Sequence, residues 1–289
     1  MPNALDAVLE LLDLEPIEVN LFRGRSPQED RQRVFGGQVL SQALVAAGRT
    51  VEDRVAHSFH AYFLRPGDPT VPILYEVDRI RDGRSFTTRR VVAVQHGKAI
   101  FNMAASFQVH ETGLEHQIPM PDGPSPDDLP TQAEHVAELK KSAPPDAEMW
   151  FDRERAFEER YTDPINWFKP TKQEPHQRIW LKTTSPLADD LSLHQAILAY
   201  ASDMSLLDTS VMPHGVSFFD SEMQIASLDH AMWFHRPFRA DEWLLYVTDS
   251  PSSSNARGFN RGSIYAQSGE LVASVVQEGL MRCHPPKKT

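Results

Sequence analysis

HAYFLRPGDPTVPILYEV, residues 60–77, and HAMWFHRPFRADEWLLYV, residues 230–247, are two versions of one pattern. Each passes through an aromatic, apolar approach to an Arg-Pro pair and then into a strand-like run ending in Tyr-x-Val or Tyr-Val. The likeness continues outward. SFTTRRVVAVQHGKAIFNMAASFQ (85–108) parallels ARGFNRGSIYAQSGELVASVVQ (256–277), and in each a residue-Gly pair, His96-Gly97 or Ser268-Gly269, separates two alternating runs as a hairpin requires. Arg65 to Gln108 spans 43 positions and Arg236 to Gln277 spans 41, a difference that a loop adjustment absorbs, so Gln277 is matched with Gln108.

A helical candidate precedes each strand set. FGGQVLSQALVAAG (35–48) is rich in small and apolar residues, and LSLHQAILAYASDMSLL (191–207) sets Leu193, Ile197, Tyr200, Met204 and Leu207 along one stripe, with Ser192 available as a cap. Each half therefore reads as a long helix followed by several antiparallel strands. The expected class is α+β, a sheet wrapped around a buried helix, built twice. The halves are placed at residues 1–110 and 177–289. Between them, residues 111–176 hold ten of the 22 prolines, which removes backbone donors and keeps much of this stretch from regular sheet; it reads as a surface connector, interrupted by a short helix near Gln132–Lys141. ALDAVLELLDL (4–14) predicts a docking helix through Leu5, Val8, Leu9 and Leu12.

Composition narrows the function. The 289 residues carry 29 Lys and Arg against 40 Asp and Glu, a net charge of −11, so the overall field opposes nucleic acid and anionic membranes, and an anionic ligand needs a local basic patch. One cysteine, Cys283, makes no internal disulfide and fits a reducing compartment. The amino terminus lacks the basic-then-apolar order of a secretory signal, and no run of about 18 apolar residues occurs. A soluble cytoplasmic protein is expected. The dinucleotide glycine fingerprint, the phosphate loop, the G-x-S-x-G elbow and H-E-x-x-H are all absent, and neither a metal nor another cofactor is expected.

Duplicated halves need one working site, and chemical differences between them indicate which half holds it. Aligning Gln38 with Gln195 sets Asp203 opposite Ala46, and aligning Arg65 with Arg236 sets Ser227 opposite Ala56. The second half thus has a carboxylate, a hydroxyl and an amide where the first has two alanines and an amide. Asp203 falls at the margin of the helical stripe, where partial desolvation makes a carboxylate a better base. Each residue alone reads as an ordinary surface or cap residue; together Asp203, Ser227 and Gln277 read as a set that activates water.

The motifs VFGGQVLSQAL, HSFHAYFLRPGD, SFTTRRV, HAMWFHRPF, EWLLY, ARGFNRG and ASVVQEG resemble those of the acyl-CoA thioesterase II (TesB-type) family, in order and over nearly the whole chain. The resemblance implies a double hotdog fold, with two helix-in-sheet units in one chain. It also implies hydrolysis of fatty acyl-CoA to free acid and coenzyme A without a metal or covalent intermediate. The family's aspartate of YASD falls on Asp203, its hydroxyl residue before Asp-His on Ser227, where many members have threonine, and its Gln-Glu-Gly glutamine on Gln277. Arg257 and Arg261, with Arg89 and Arg90 as counterparts, are candidates for the phosphates of coenzyme A or, equally, for pairing with nearby carboxylates. A homo-oligomer, dimer or tetramer, is expected from the family and from exposed sheet surface. Two other readings stay open: a hydratase acting on enoyl-CoA through Asp229 and His230, although adjacent strand residues point to opposite faces, and a non-catalytic acyl-CoA-binding protein.

Overall fold

The computed structural model describes residues 3–27, 32–144, 147, 151 and 153–284. The first half comprises β1 (Glu15–Glu18), β2 (Leu21–Gly24), the helix α2 (Gly36–Gly48), β3 (Val55–Phe63), β4 (Ile73–Asp82), β5 (Phe86–Gln95) and β6 (Lys98–Gln108). The second repeats that order with β7 (Phe157–Tyr161), β8 (His176–Thr183), the helix α4 (Leu191–Ser202), β9 (Met223–Ser227), β10 (Asp229–Phe234), β11 (Leu244–Ser254), β12 (Arg257–Ala266) and β13 (Leu271–Cys283). The strands form one antiparallel sheet in the order β1-β2-β4-β5-β6-β3-β10-β13-β12-β11-β8-β7, with β9 also on β13. The order is a palindrome about the β3–β10 seam, where His60 faces Ala231. Two strands therefore precede each helix, an arrangement not anticipated from the helix-then-strands pattern.

Local chemistry explains the elements. β5 buries Thr87, Arg89, Val91, Ala93 and Gln95 in strict alternation, the period-2 pattern of a strand with one covered face. His96 (φ 49°) and Gly97 (φ 69°) make the left-handed two-residue turn into β6. The helices α2 and α4 pack on each other, and their Leu40, Ala43, Ala46, Ala47, Ile197 and Ala199, all fully buried, belong to one core with the sheet. Gly37 permits the closest approach, because a Cβ there would run into the Tyr200 carbonyl and the Phe35 ring. The docking helix α1 (Ala4–Leu12), opened by an Asn3/Asp6 capping box, buries Leu5, Val8 and Leu12 and packs on α2.

The proline-rich stretch crosses the outer face of the second half. Trp180 Nε1 donates to the Pro124 carbonyl and Arg178 Nη1 to that of Asp122, while Met120 and Leu129 pack on Trp180, Leu245 and Tyr265. It carries the expected helix, α3 (Gln132–Lys140). It is not free of sheet: β7 forms at the edge, in the proline-free interval between Pro145 and Pro164, where pairing on one side only is required.

Candidate active site

Asp203 closes α4 as its C-cap, and its side chain is only 4% exposed. Ser227 Oγ, at the end of β9, donates to Asp203 Oδ1 at 3.2 Å. Gln277 Nε2, on β13, donates to the same oxygen at 2.6 Å. Burial pushes the Asp203 carboxyl up to about 6, against the opposing pull of Gln277, Ser227, the Gly37 amide and the positive charge of Arg33. Gly37 belongs to the other half. Phe35, the N-cap of α2, has no side-chain group to satisfy the helix's first amides, and the carboxylate of the second half stands there instead. A Cβ on Gly36 would lie 2.5 Å from Asp203 Oδ2. The Gly-Gly pair is what lets the positive end of α2 reach this carboxylate.

Asp203 and Ser227 line a cavity of about 590 Å³. Most of its wall is apolar, with Val39, Phe63, Ile100, Phe101, Trp167, Leu207 and Phe218 from both halves. Gln277 is fully buried behind the carboxylate. Among the described residues, the cations on the cavity wall are the exposed Arg33 and Arg65, donating to the Ile225 carbonyl at 2.8 Å and the Ala99 carbonyl at 2.6 Å. Neither was proposed from the sequence as a ligand-binding cation, Arg65 serving there only to align the halves, because the loops before α2 and after β3 carry no periodic pattern that predicts where they meet. Asp208, in the short helix α5 (Asp208–Val211), also reaches the wall, and burial beside Glu159 and Asp203 holds its carboxyl well above the usual range.

The four arginines offered by the sequence for phosphates do not line this cavity. Arg261 Nε donates to Asp249 at 2.9 Å and Arg257 Nε to Glu278 at 2.7 Å. Arg90 pairs with Asp78 at 3.2 Å, the first-half equivalent of Arg261 with Asp249. Arg89 is 1% exposed and spends its guanidinium on Asp82, Thr50 and two strand carbonyls. Period-2 alternation turns Arg89 inward and Arg90 outward, so neither is aimed at the cavity. The Asp229–His230 pair is also divided: Asp229 Oδ1 accepts the Glu278 amide at 2.6 Å, while His230 is fully buried and turned inward.

Strand register sharpens the comparison of the halves and corrects one match. Asp78 faces Arg90 and Arg90 faces Ala104; in the second half Asp249 faces Arg261 and Arg261 faces Val276. The next residue along is Ala105 in one half and Gln277 in the other. Gln277 therefore corresponds to Ala105, not Gln108. Likewise Ala56 faces Phe107 as Ser227 faces Gly279, so Ala56 corresponds to Ser227. The hydroxyl and amide of the second half thus both replace alanines, as its carboxylate does in the helix alignment.

Two tandem helix-in-sheet units sharing one sheet make this a double hotdog protein. A hot dog fold protein of Alicyclobacillus acidocaldarius, 19% identical, superposes with a TM-score of 0.78, covering 96% of this chain and 99% of that one. The acyl-CoA thioesterase family model matches residues 146–280, and the model of the acyl-CoA thioesterase N-terminal domain matches residues 25–108. Acyl-CoA thioesterase 2 of Haemophilus influenzae is 40% identical over 283 residues, covering 98% of this chain and 99% of its own length. The acyl-CoA thioesterase II TesB2 of Mycobacterium marinum is 44% identical, with a TM-score of 0.79 over 97% of this chain and all of that one. The chain belongs to the acyl-CoA thioesterase II (TesB-type) family.

Proposed function

We propose that the protein hydrolyses fatty acyl-CoA to free acid and coenzyme A by direct attack of a water that Asp203 deprotonates. The observation that carries this reading is the carboxylate itself: desolvated, raised to about 6, held at one oxygen by two donors and set in the wall of a mostly apolar cavity. A base with a pKa near the working pH gains about 10² to 10⁴ in rate. Ser227, on the same wall, aims the water. Gln277 works from behind by holding Oδ1 and so orienting the carboxylate.

The water oxygen bonds to the thioester carbonyl carbon as its proton passes to Asp203. The Gly37 amide already donates to Asp203, so the resulting oxyanion takes a further backbone donor at the start of α2, such a donor being worth roughly 3 to 4 kcal/mol. The carbon–sulfur bond then breaks, and the proton returns from Asp203 to the departing thiolate. Thiolate is a good leaving group, which is why a positioned base suffices. The aromatic wall suits an acyl chain, and Arg33 and Arg65 supply the positive charge that an acidic protein otherwise denies to coenzyme A phosphates. Among the described residues no helix is long and apolar enough to cross a membrane and no group of three or more His, Cys, Asp or Glu is placed to hold a metal.

A thiol-release assay across acyl chain lengths tests this. Asp203→Asn is expected to lower kcat by about 10² to 10⁴ while binding and fold persist. Undiminished hydrolysis by that variant overturns the mechanism, and stoichiometric acyl-CoA binding without thiol release by the unaltered protein overturns the activity.

A further inference from the structure

His230 stands directly behind the Asp203–Gln277 pair, and the reaction above does not use it. It lies on β10, fully buried, with its ring stacked on Phe59 across the seam at 6.0 Å and 20°. Its Nδ1 is 3.1 Å from Gln277 Nε2 and 3.8 Å from Asp203 Oδ1. Its Nε2 is 3.0 Å from Ser202 Oγ, and that hydroxyl donates to the Ala199 carbonyl at 2.9 Å.

These contacts fix the proton. Ser202 spends its only hydrogen on Ala199, so its oxygen accepts from His230, and Nε2 carries the N–H. Nδ1 is then a lone pair, and the donor within reach is the second hydrogen of the Gln277 amide. Burial pushes the imidazole down to about 3, which keeps it neutral where the enzyme works. Gln277 thus meets two acceptors, Asp203 Oδ1 and His230 Nδ1, through one nitrogen. A flipped amide would turn Oε1 toward a carboxylate and a lone pair at once. Among the described residues Oε1 has no donor of its own, so the orientation rests on the Nε2 side alone.

We infer that His230, held by Ser202, is a positioning residue that locks the Gln277 amide in the orientation that donates to Asp203. The inference rests on Asp203 being the base. The register supports it from a second direction. His60 faces Ala104 as Ala231 faces Val276, which makes Phe59 the first-half equivalent of His230. The half without the amide has a ring of similar size that accepts nothing, and the ring nitrogen occurs where the amide occurs.

The other charged or titratable groups acting on Asp203 are Arg33, Asp208 and Tyr246; substitutions at His230 leave them unchanged. In the full-length protein, His230→Leu is expected to lower kcat by about 10- to 100-fold with KM little altered, as small misplacements at a reacting group do. The acid limb of kcat/KM should rise by about one pH unit, because Asp203 loses a charge-assisted donor. His230→Asn, which offers an amide oxygen near the place of Nδ1, should restore most of kcat and return the limb. Ser202→Ala should move the limb the same way by less. Nitrogen NMR of imidazole-labelled unaltered protein should find a neutral ring protonated at Nε2 on both sides of the acid limb, a reading that needs no variant to fold. An imidazolium, an Nδ1–H ring, or an unmoved limb in a folded His230→Leu protein overturns the inference. If Asp203→Asn still hydrolyses thioester, the parent reading fails instead; an inactive Asp203→Asn beside an unmoved His230→Leu limb sinks this inference alone.

Discussion

The two halves of the sheet share strand order, register and a central helix, yet differ in what they bury. Where the second half sets Ser227, Gln277 and His230 on its inner side, the first sets Ala56, Ala105 and Phe59 at the same register positions. Phe107 fills a place that is Gly279 in the second half, where a Cβ would strike Leu207. The first half is therefore packed apolar where the second is polar. A second set of buried polar groups without a substrate to serve would cost stability and return nothing. The first half is not idle, however: Gly36 and Gly37, Phe63, Arg65 and Ile100 come from it, and the cavity exists only where the halves meet.

The sharpest way to break this comparison is to move the base. Asp203→Asn combined with Ala46→Asp puts a carboxylate on α2 at the aligned position, where Ala46 is fully buried. The double variant should remain as inactive as Asp203→Asn, down by about 10² to 10⁴ in a thiol-release assay, because neither the amide nor the hydroxyl is present there. Recovery of turnover would mean that the halves are interchangeable.

Stability should expose the cost of the buried carboxylate that the second half carries. A carboxyl at 3.8 when unfolded and about 6 when folded gives the folded state the extra proton between those values. Its contribution is fully favourable below about pH 4 and is lost as pH rises through 6. At about 1.4 kcal/mol per pH unit the ionised group costs roughly 3 kcal/mol. Asp203→Asn, which cannot ionise, should be more stable than the parent by about that much in urea unfolding at pH 8, with the gap closing below about pH 4. An equal gap at both pH values would remove desolvation as its cause.

Ser227→Ala converts one position to the first half's residue. It should lower kcat by about tenfold, the worth of one hydrogen bond to a charged group, since a water can take the place of the hydroxyl. A loss as large as that of Asp203→Asn would make the serine the nucleophile. The smallest effect should come at the rim. Arg65→Ala should raise KM for an acyl-CoA by roughly 2- to 5-fold and flatten its salt dependence, as loss of one exposed ionic contact does. Arg261→Ala, whose partner is Asp249, should leave both unchanged.

Much of this was legible along the chain. Helix stripes, hairpin glycines and the doubled Arg-Pro segments follow from local periodicity and turn chemistry, and they bring Asp203, Ser227 and Gln277 into consideration. The match of Gln277 with Gln108 failed for a reason that equal-looking ends conceal. The hairpin after β12 leaves residues 267–269 between Ala266 and Glu270, whose backbones bond, where the one after β5 leaves 96–97 between the paired Gln95 and Lys98, so the second half runs one residue longer, not two shorter. A slip of three positions is odd, and odd slips exchange the two faces of a strand.

By itself, then, the sequence determined the repeat, the class of fold and the residue types available for chemistry, because those depend on neighbours within a turn or a strand. Only the tertiary structure decided which strand faces look inward, that Arg89 is a buried structural cation while Arg33 and Arg65 reach the cavity, and that a carboxylate from one half faces the helix start of the other. Those outcomes depend on where distant segments meet, and burial and register, which set charge and orientation at the site, exist only once they have met.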